Sequence, residues 1–569
     1  MVSCDCLCWS SDLSETEFCS FEPEPFSLPS PIHIWPQGEG YAEGKICLGE
    51  IDVMKITTFD VIWNSKKLGK KGADGVAFYK PARIPEGYFC LGHYCQSNNR
   101  PLRGYLLVAR ELLVVSESNL GSPLSDPLDY TLMWNTDSNH DTSCCYVWLP
   151  IPPEGYKSMG FVVTDCREKP GLEVVKCVRS DLTEVCETED MIFESYSKNS
   201  KKSSCLRVWN MRPWQRGMWD CGVSVGTFFC TSTSHSSGTE LDIIACLKNI
   251  DSKQIISAMP NQSQVHSLIR QYGPRVFFHP DEIYMPSSVQ WFFESGTRIC
   301  SLKNNNLIDW DGANLPEGGA NDGEYWIDLP EEEEKRDVVK KGNLESAKLY
   351  IHVKPALGGT FTDIAMWIFC PFNGPSTIKA SLVNIEMSKV GEHVGDWEHF
   401  SLRISNFNGE LWSMYVSQHS GGGWVDASQL EFIEGENRPL VYSSKSGHAC
   451  FPHTGCYIQG TTKFGIGLRN DAAKSKYYID SNIRYEIVAA EYLGDGAVKE
   501  PHWLQYMRQW GPTVQYNTWV EIDKIMSHFP TFIRFSVDVL FELFPTEIYG
   551  EEGPTGPKEK DNWFGDERC

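Results

Sequence analysis

The chain has 569 residues, with 75 acidic and 51 basic side chains and a formal net charge of −24. Hydrophobic residues make up 41% and aromatics 12%, with 19 tryptophans, a composition that builds folded cores and excludes a disordered chain. The acidic balance argues against nucleic acid as a partner, since phosphate contact needs clustered Lys and Arg, and no run of about 18 apolar residues predicts a transmembrane helix.

The first 18 residues show neither the basic leader nor the apolar segment of a secretory signal. The 21 cysteines, odd in number and irregularly spaced, read as reduced thiols of a cytoplasmic protein. Residues 1–25 are expected to form a flexible tail carrying Cys4, Cys6 and Cys8. These thiols suit an unmodified tail, S-acylation or a metal; Val2 excludes myristoylation.

Residues 26–250 contain a repeat of about 70 residues. Val61-Ile62-Trp63-Asn64 returns as Leu132-Met133-Trp134-Asn135 and, eroded, as Arg207-Val208-Trp209-Asn210. Pro85-Glu86-Gly87-Tyr88 followed by Leu91-Gly92 returns as Pro153-Glu154-Gly155-Tyr156 followed by Met159-Gly160, and Val225-Gly226 completes the third copy. Short runs rich in β-branched and aromatic residues between Gly, Pro and Asn predict strands, and the Pro-Glu-Gly-Tyr elements predict tight turns. Three sheet units burying their faces around a shared axis predict a β-prism, with the Trp residues in its core.

Residues 251–271 predict a helical connector, with apolar Ile255, Ile256, Met259, Val265, Leu268 and Ile269. Residues 272–549 return to strand-like runs, such as Leu349-Tyr350-Ile351-His352-Val353 and Ile364-Ala365-Met366-Trp367-Ile368-Phe369, and predict a β-sandwich. The run Glu331–Arg336 is expected to be a solvated loop. The apolar stretch 522–549, broken by Pro530 and Pro545, predicts a helix on the sandwich or a membrane-surface segment, and 550–569 a C-terminal tail. The chain is therefore expected to be mainly β.

One segment carries chemistry: Glu392-His393-Val394-Gly395-Asp396-Trp397-Glu398-His399. On a strand Asp396 and Glu398 share a face, and a bend at Gly395 can turn His393 toward them. An imidazole and two carboxylates suit a divalent cation, general acid–base chemistry, or a hydrogen-bonded structural loop. A second cluster, His448, Cys450, His453 and Cys456, has ligand types for zinc but none of its usual spacings; buried thiols and one bonded imidazole are the alternative. His419 precedes a glycine run and can approach either cluster. No Walker loop, dinucleotide fingerprint, nucleophile elbow or kinase set occurs.

From Phe26 to Trp563 the chain resembles a plant member of the vacuolar protein sorting-associated protein 62 family. The resemblance rests on the Trp-Asn and Pro-Glu-Gly-Tyr repeats, on Phe277-Phe278-His279-Pro280-Asp281-Glu282, His393-Val394-Gly395-Asp396-Trp397-Glu398 and Ser446-Gly447-His448-Ala449, and on Gly553-Pro554-Thr555-Gly556-Pro557-Lys558. The family name implies a link to vacuolar delivery. The C-terminal half is more distantly similar to the necrosis- and ethylene-inducing peptide-like proteins, secreted β-sandwich cytolysins that hold a divalent cation and bind plant sphingolipids. That resemblance implies His393, Asp396 and Glu398 as cation ligands, with calcium or magnesium ranked above zinc; the family's upstream Asp falls near Asn373 here. The repeat half is similar to β-prism modules of multivesicular-body subunits, which contact acidic membranes.

The expected function is a non-catalytic, peripheral factor that binds lipid or protein in vacuolar sorting. Its expected partners are an acidic or sphingolipid membrane surface or trafficking proteins, with the chain cytoplasmic or peripheral on endosomal or vacuolar membranes. The alternative is a metal-dependent hydrolase or cytolysin-like protein centred on His393, Asp396 and Glu398.

Overall fold

A computed structural model describes residues 25–36, 38, 40–65, 75–112, 121–136, 144–195, 205–232, 242–250, 256–380, 383–387, 389–418, 421–461, 466–514, 520, 527 and 553–567. The Cys4, Cys6 and Cys8 expectations, most of the 522–549 stretch and His419 lie outside the described residues. The chain is mainly β, as expected.

In the N-terminal half the repeat becomes three three-stranded antiparallel sheets. The first holds Phe59–Asn64, Val76–Pro81 and Tyr94–Ser97; the second Asp129–Asn135, Tyr146–Ile151 and Val162–Thr164; the third Cys186–Glu194, Leu206–Pro213 and Phe228–Ser232. Pairing register aligns Trp63, Phe78 and Cys95 across the first sheet and Trp134, Val147 and Val163 across the second. In the third the aligned set is Phe193, Val208 and Cys230. All nine side chains pack in one core, where the rings of Trp63 and Trp134 meet edge to face at 6.3 Å.

Trp209 is therefore not the counterpart of Trp63 and Trp134. It stands on the middle strand of its sheet, and Phe193 takes the equivalent place on the first strand. A Trp-Asn string matches by letters, whereas register is set by the ladder, which shifts at Met191–Phe193. The glycine-linked positions do correspond: Leu91, Met159 and Val225 meet in a second core. The Pro-Glu-Gly-Tyr elements are turns in which Tyr88 and Tyr156 donate their amides to Pro85 and Pro153, with Gly87 and Gly155 at φ of 80° and 81°.

The C-terminal half is built on a six-stranded sheet ordered Gly421–Asp426, Leu411–Gln418, His393–Ser405, Phe361–Asn373, Leu349–Ala356, Tyr485–Ala489, with only the last pair parallel. One face packs on a four-stranded sheet containing Arg275–Phe278 and Leu440–Ser443, through Ile364, Met366, Ile368, Phe400, Leu402, Val276 and Val441. The other face meets Trp367, Phe369 and Trp397 with Phe292, Trp503, Trp510 and Trp563. The Gln262–Tyr272 helix, opened by an Asn261/Gln264 capping box, buries Val265, Leu268, Ile269 and Tyr272 in the first core, so it is part of this half rather than a free connector. Trp35 and Tyr41, expected in the repeat unit, also pack there.

Two charged segments differ from expectation. Glu333–Lys340 is a helix, not a loop: Glu333 and Glu334 sit in its first turn, Lys340 in its last, and Val339 anchors it. The expected C-terminal tail is docked instead. Trp563 is 1% exposed and stacks on His352 at 4.0 Å between ring centroids. Lys354 donates to the carbonyls of Asn562 and Gly565; Glu567 accepts from His399 and Ser401. Asp566 joins both halves, accepting from Arg403 and from Arg216, each at 2.9 Å. Hydrophobicity gave no sign of this because the segment is polar, and its partners are charged groups buried on the sheet.

Trp563→Ala is expected to cost about 3–5 kcal/mol in urea unfolding. Burial alone would raise the Glu567 carboxyl, but His399, with Lys354 and Ser401, holds it down to about 2. Its contribution is full above the unfolded value of 4.5 and is lost as pH falls toward 2. Acid titration followed by Trp fluorescence should therefore show a loss of stability below about pH 4.5 that is shallower in Glu567→Gln. Equal slopes would contradict this assignment.

Candidate functional site

Three of the sequence motifs, far apart in the chain, meet at one end of the six-stranded sheet. The His279-Pro280-Asp281-Glu282 turn, closed by the Glu282 amide on the His279 carbonyl at 3.0 Å, delivers a buried carboxylate. Glu282 Oε1 accepts the amides of Ile283 and Tyr284, and Oε2 accepts that of Ser446 at 2.6 Å. Ser446 and His448 hold positive φ of 67° and 54°, a local strain that aims the fully buried His448 inward.

His448 Nδ1 lies 2.8 Å from Asp396 Oδ2, and Nε2 lies 2.8 Å from the Tyr284 carbonyl oxygen. Both ring nitrogens thus face acceptors, which is the arrangement of an imidazolium. Burial opposes that charge, but Cys370, Asp396 and Glu282 around the ring outweigh it and hold the His448 pKa well above the usual histidine value. Burial alone would likewise raise Asp396; the hydrogen bond from His448, with His393 and Lys560 nearby, holds it below the usual carboxylate range.

Asp396 and Glu398 share a face of their strand, as expected, and pair across the sheet with Cys370 and Ile368. Gly395, at φ 65°, breaks the alternation: Val394 and Trp397 enter the same core. A Cβ at Gly395 would lie 2.7 Å from the Trp510 carbonyl oxygen, so no side chain fits there. Glu398 bonds Ser417 Oγ at 2.5 Å, and burial, reinforced by the charge of Asp396, pushes its carboxyl up to about 8. Two carboxyls on one face are thereby driven apart, one ionised and one neutral at pH 7. Burial lowers the pKa of Lys560, from the docked C-terminal segment, against the opposing pull of Glu398 and Asp396.

His393 lies within electrostatic reach of Asp396, but its Nδ1 donates to the Gly395 carbonyl at 2.8 Å. The imidazole bonded to Asp396 is instead His448. Among the described residues, the ligand atoms within 4.8 Å of one another belong to Cys370, Asp396 and His448. The second sequence cluster is divided: His453 bonds Glu431, Cys456 is exposed, and Cys450 is buried behind His448. Asn373 donates its amide to the Gly391 carbonyl. Glu282, Cys370 and Lys560 were not legible as site residues; the Phe277–Glu282 motif carried one of them, but only as a mark of resemblance.

The oxygens of Asp396 and Glu398 suit a hard cation, and Cys370 and His448 add softer donors. Burial pushes the Cys370 thiol up to about 11 against the opposing charge of His448, and His448 is a donor at both nitrogens.

A β protein made of a three-repeat unit and a two-sheet unit, with a buried carboxylate–imidazole centre at the end of its largest sheet, is the class this architecture defines. The chain belongs to the vacuolar protein sorting-associated protein 62 family, whose model matches residues 22–567. The Saccharomyces cerevisiae protein of that description is 22% identical over 292 residues, 45% of this chain and 61% of the yeast protein. Among solved structures, GNIP1Aa from Chromobacterium piscinae is 17% identical over 40% of this chain and 41% of its own, with a TM-score of 0.29. A variant of NLPPya is 12% identical over 42% of this chain and 77% of its own, with a TM-score of 0.21.

Removing one member of a buried charge pair leaves the other unmatched. His448→Ala and Asp396→Asn should each cost about 3–5 kcal/mol in urea unfolding, and the double variant clearly less than their sum. Additive losses would mean that the pair does not couple.

Proposed function

We propose that this protein is a non-catalytic peripheral membrane factor of vacuolar protein sorting, acting on the cytoplasmic face of endosomal or vacuolar membranes. The observation that carries the reading is one exposed aromatic patch. Trp214 and Trp219, in the loop after the Leu206–Pro213 strand, are 63% and 52% exposed, and Phe564 is 49% exposed. The loop clasps the C-terminal segment through the Met218 amide, which donates to the Phe564 carbonyl at 2.7 Å and so brings the backbone beside Trp219 against that of Phe564.

Tryptophan favours the membrane–water interface, where its ring is buried and its indole N–H stays near polar groups. Half-burying three such rings yields on the order of 1–2 kcal/mol each. That suffices for reversible attachment and matches the absence, among the described residues, of any helix long and apolar enough to cross a membrane. A net charge of −24 favours a neutral, sphingolipid-containing surface over a strongly acidic one. Trafficking proteins are the other class of partner such a patch can take.

The second reading places calcium or magnesium on Asp396 and Glu398 with His393, favoured by the face the two carboxyls share. Co-sedimentation with phosphatidylcholine and phosphatidylcholine–sphingomyelin vesicles separates the two. The wild type is expected to pellet without calcium, and Trp214→Ser with Trp219→Ser to lose at least about tenfold in partitioning. Binding that requires calcium and is lost in Asp396→Asn would favour the cation reading; equal pelleting of wild type and the double Trp variant would remove the patch from the mechanism.

A further inference from the structure

A cavity of about 300 Å³ lies where the two halves meet, and its walls carry five arginines: Arg100, Arg103, Arg212, Arg216 and Arg403. In a chain this acidic, five guanidinium groups around one space are a local concentration of hydrogen-bond donors. Ligand cavities favour such junctions between units, and this volume is at the small end of their range.

Four carboxylates also line the space, and the hydrogen bonds show which donors they use. Asp566 occupies Arg216 Nε and Arg403 Nη2, and Glu189 accepts from Arg212 Nη1. Among the described residues Arg100 makes no hydrogen bond through its guanidinium, and the nearest carboxylate oxygen, on Asp426, is 3.9 Å away. Arg103 is buried, and its Nε has no hydrogen-bond partner. Arg212 and Arg403 each keep one terminal nitrogen outside their carboxylate pairs. Arg103 also pairs with Glu410, Arg212 and Arg216 with Glu187, and Arg403 with Asp363, so the donors left to a ligand are the Arg100 guanidinium, Arg103 Nε and one terminal nitrogen each of Arg212 and Arg403, arriving from both halves of the protein.

Guanidinium forks match the oxygens of phosphate. Asn210, Ser413 and the carboxylates can meet hydroxyl groups beside it. Two of the aromatic walls already carry cations: Arg103 lies over Trp412 at 4.1 Å and Arg403 over Trp424 at 3.9 Å. A compact, hydroxyl-rich phosphate suits this lining.

We propose that this junction cavity binds a phosphorylated polyol, either free or as the headgroup of a lipid. The site stands on its own donors and is independent of the aromatic patch, although the two are neighbours: the loop that presents Trp214 and Trp219 also supplies Arg216 to the cavity wall.

Calorimetric titration of the full chain with inositol 1,4,5-trisphosphate, inorganic phosphate and uncharged myo-inositol tests the proposal. The trisphosphate is expected to bind, myo-inositol to give no heat, and Arg100→Gln with Arg212→Gln to weaken binding at least about tenfold. Arg100→Gln alone, which removes no hydrogen bond, keeps the test valid if the double variant melts early; it should weaken binding several-fold at an unchanged melting temperature. Vesicles of phosphatidylcholine with and without a phosphoinositide distinguish the sources. Phosphoinositide-dependent retention competed by the soluble trisphosphate upholds the site as a headgroup site. Soluble binding with no such retention upholds it for a free phosphate. No heat from any phosphate, or equal affinity in wild type and the arginine variants, would overturn the proposal. Loss of binding to plain phosphatidylcholine in the tryptophan variants is scored separately and bears on the patch alone.

Discussion

Charge placed inside a β protein has to be matched, and the His393–Ser405 strand imposes that requirement on both of its faces. On one face Asp396 meets His448, which Glu282 also faces; on the other His399, Ser401 and Arg403 meet Glu567 and Asp566. An unmatched ion in such surroundings costs several kcal/mol, more than a large apolar contact returns. The loops carrying the partners are held in strained or otherwise unfavoured conformations as a consequence, most visibly at Ser446 and His448.

The same requirement explains how the two halves are joined. A polar C-terminal segment would have no reason to fold on its own, yet its carbonyls accept from Lys354, its carboxylates take up His399 and Arg403, and Trp563 fills the remaining space. Asp566 then reaches Arg216 of the third repeat, and Arg103 of the first repeat reaches Glu410 and the Leu411 carbonyl. The junction is consequently ionic and donor-rich rather than greasy, and the arginine-lined cavity is its natural product. The aromatic patch is held by the same clasp, so that attachment to a surface and the relation of the two halves share one set of contacts.

At Asp396 the chain itself supplies a counter-charge, the imidazolium of His448, bonded at both nitrogens. Glu398, raised chiefly by burial and further by the charge of Asp396, bonds Ser417. Such a centre fixes the relative position of three loops and gives the end of the sheet one defined arrangement.

Patterns of apolar residues and of turn formers are local, and the sequence by itself determined what is local: a mainly β chain, a repeat with Pro-Glu-Gly-Tyr turns, strands through Leu349–Ala356 and Phe361–Asn373, and Asp396 and Glu398 on one face. It misplaced Trp209, because a two-residue motif carries no register, and it read Glu331–Arg336 as a loop, because the buried anchor Val339 lies outside the run. It grouped His393 with Asp396 and Glu398, since proximity along the chain was the only distance available. The choice of His448, 52 residues away, the docking of residues 553–567 and the gathering of five arginines around one cavity were decided by tertiary structure alone. Each is a match between charges remote in sequence, and only the folded chain brings them within the few ångströms at which charge is compensated.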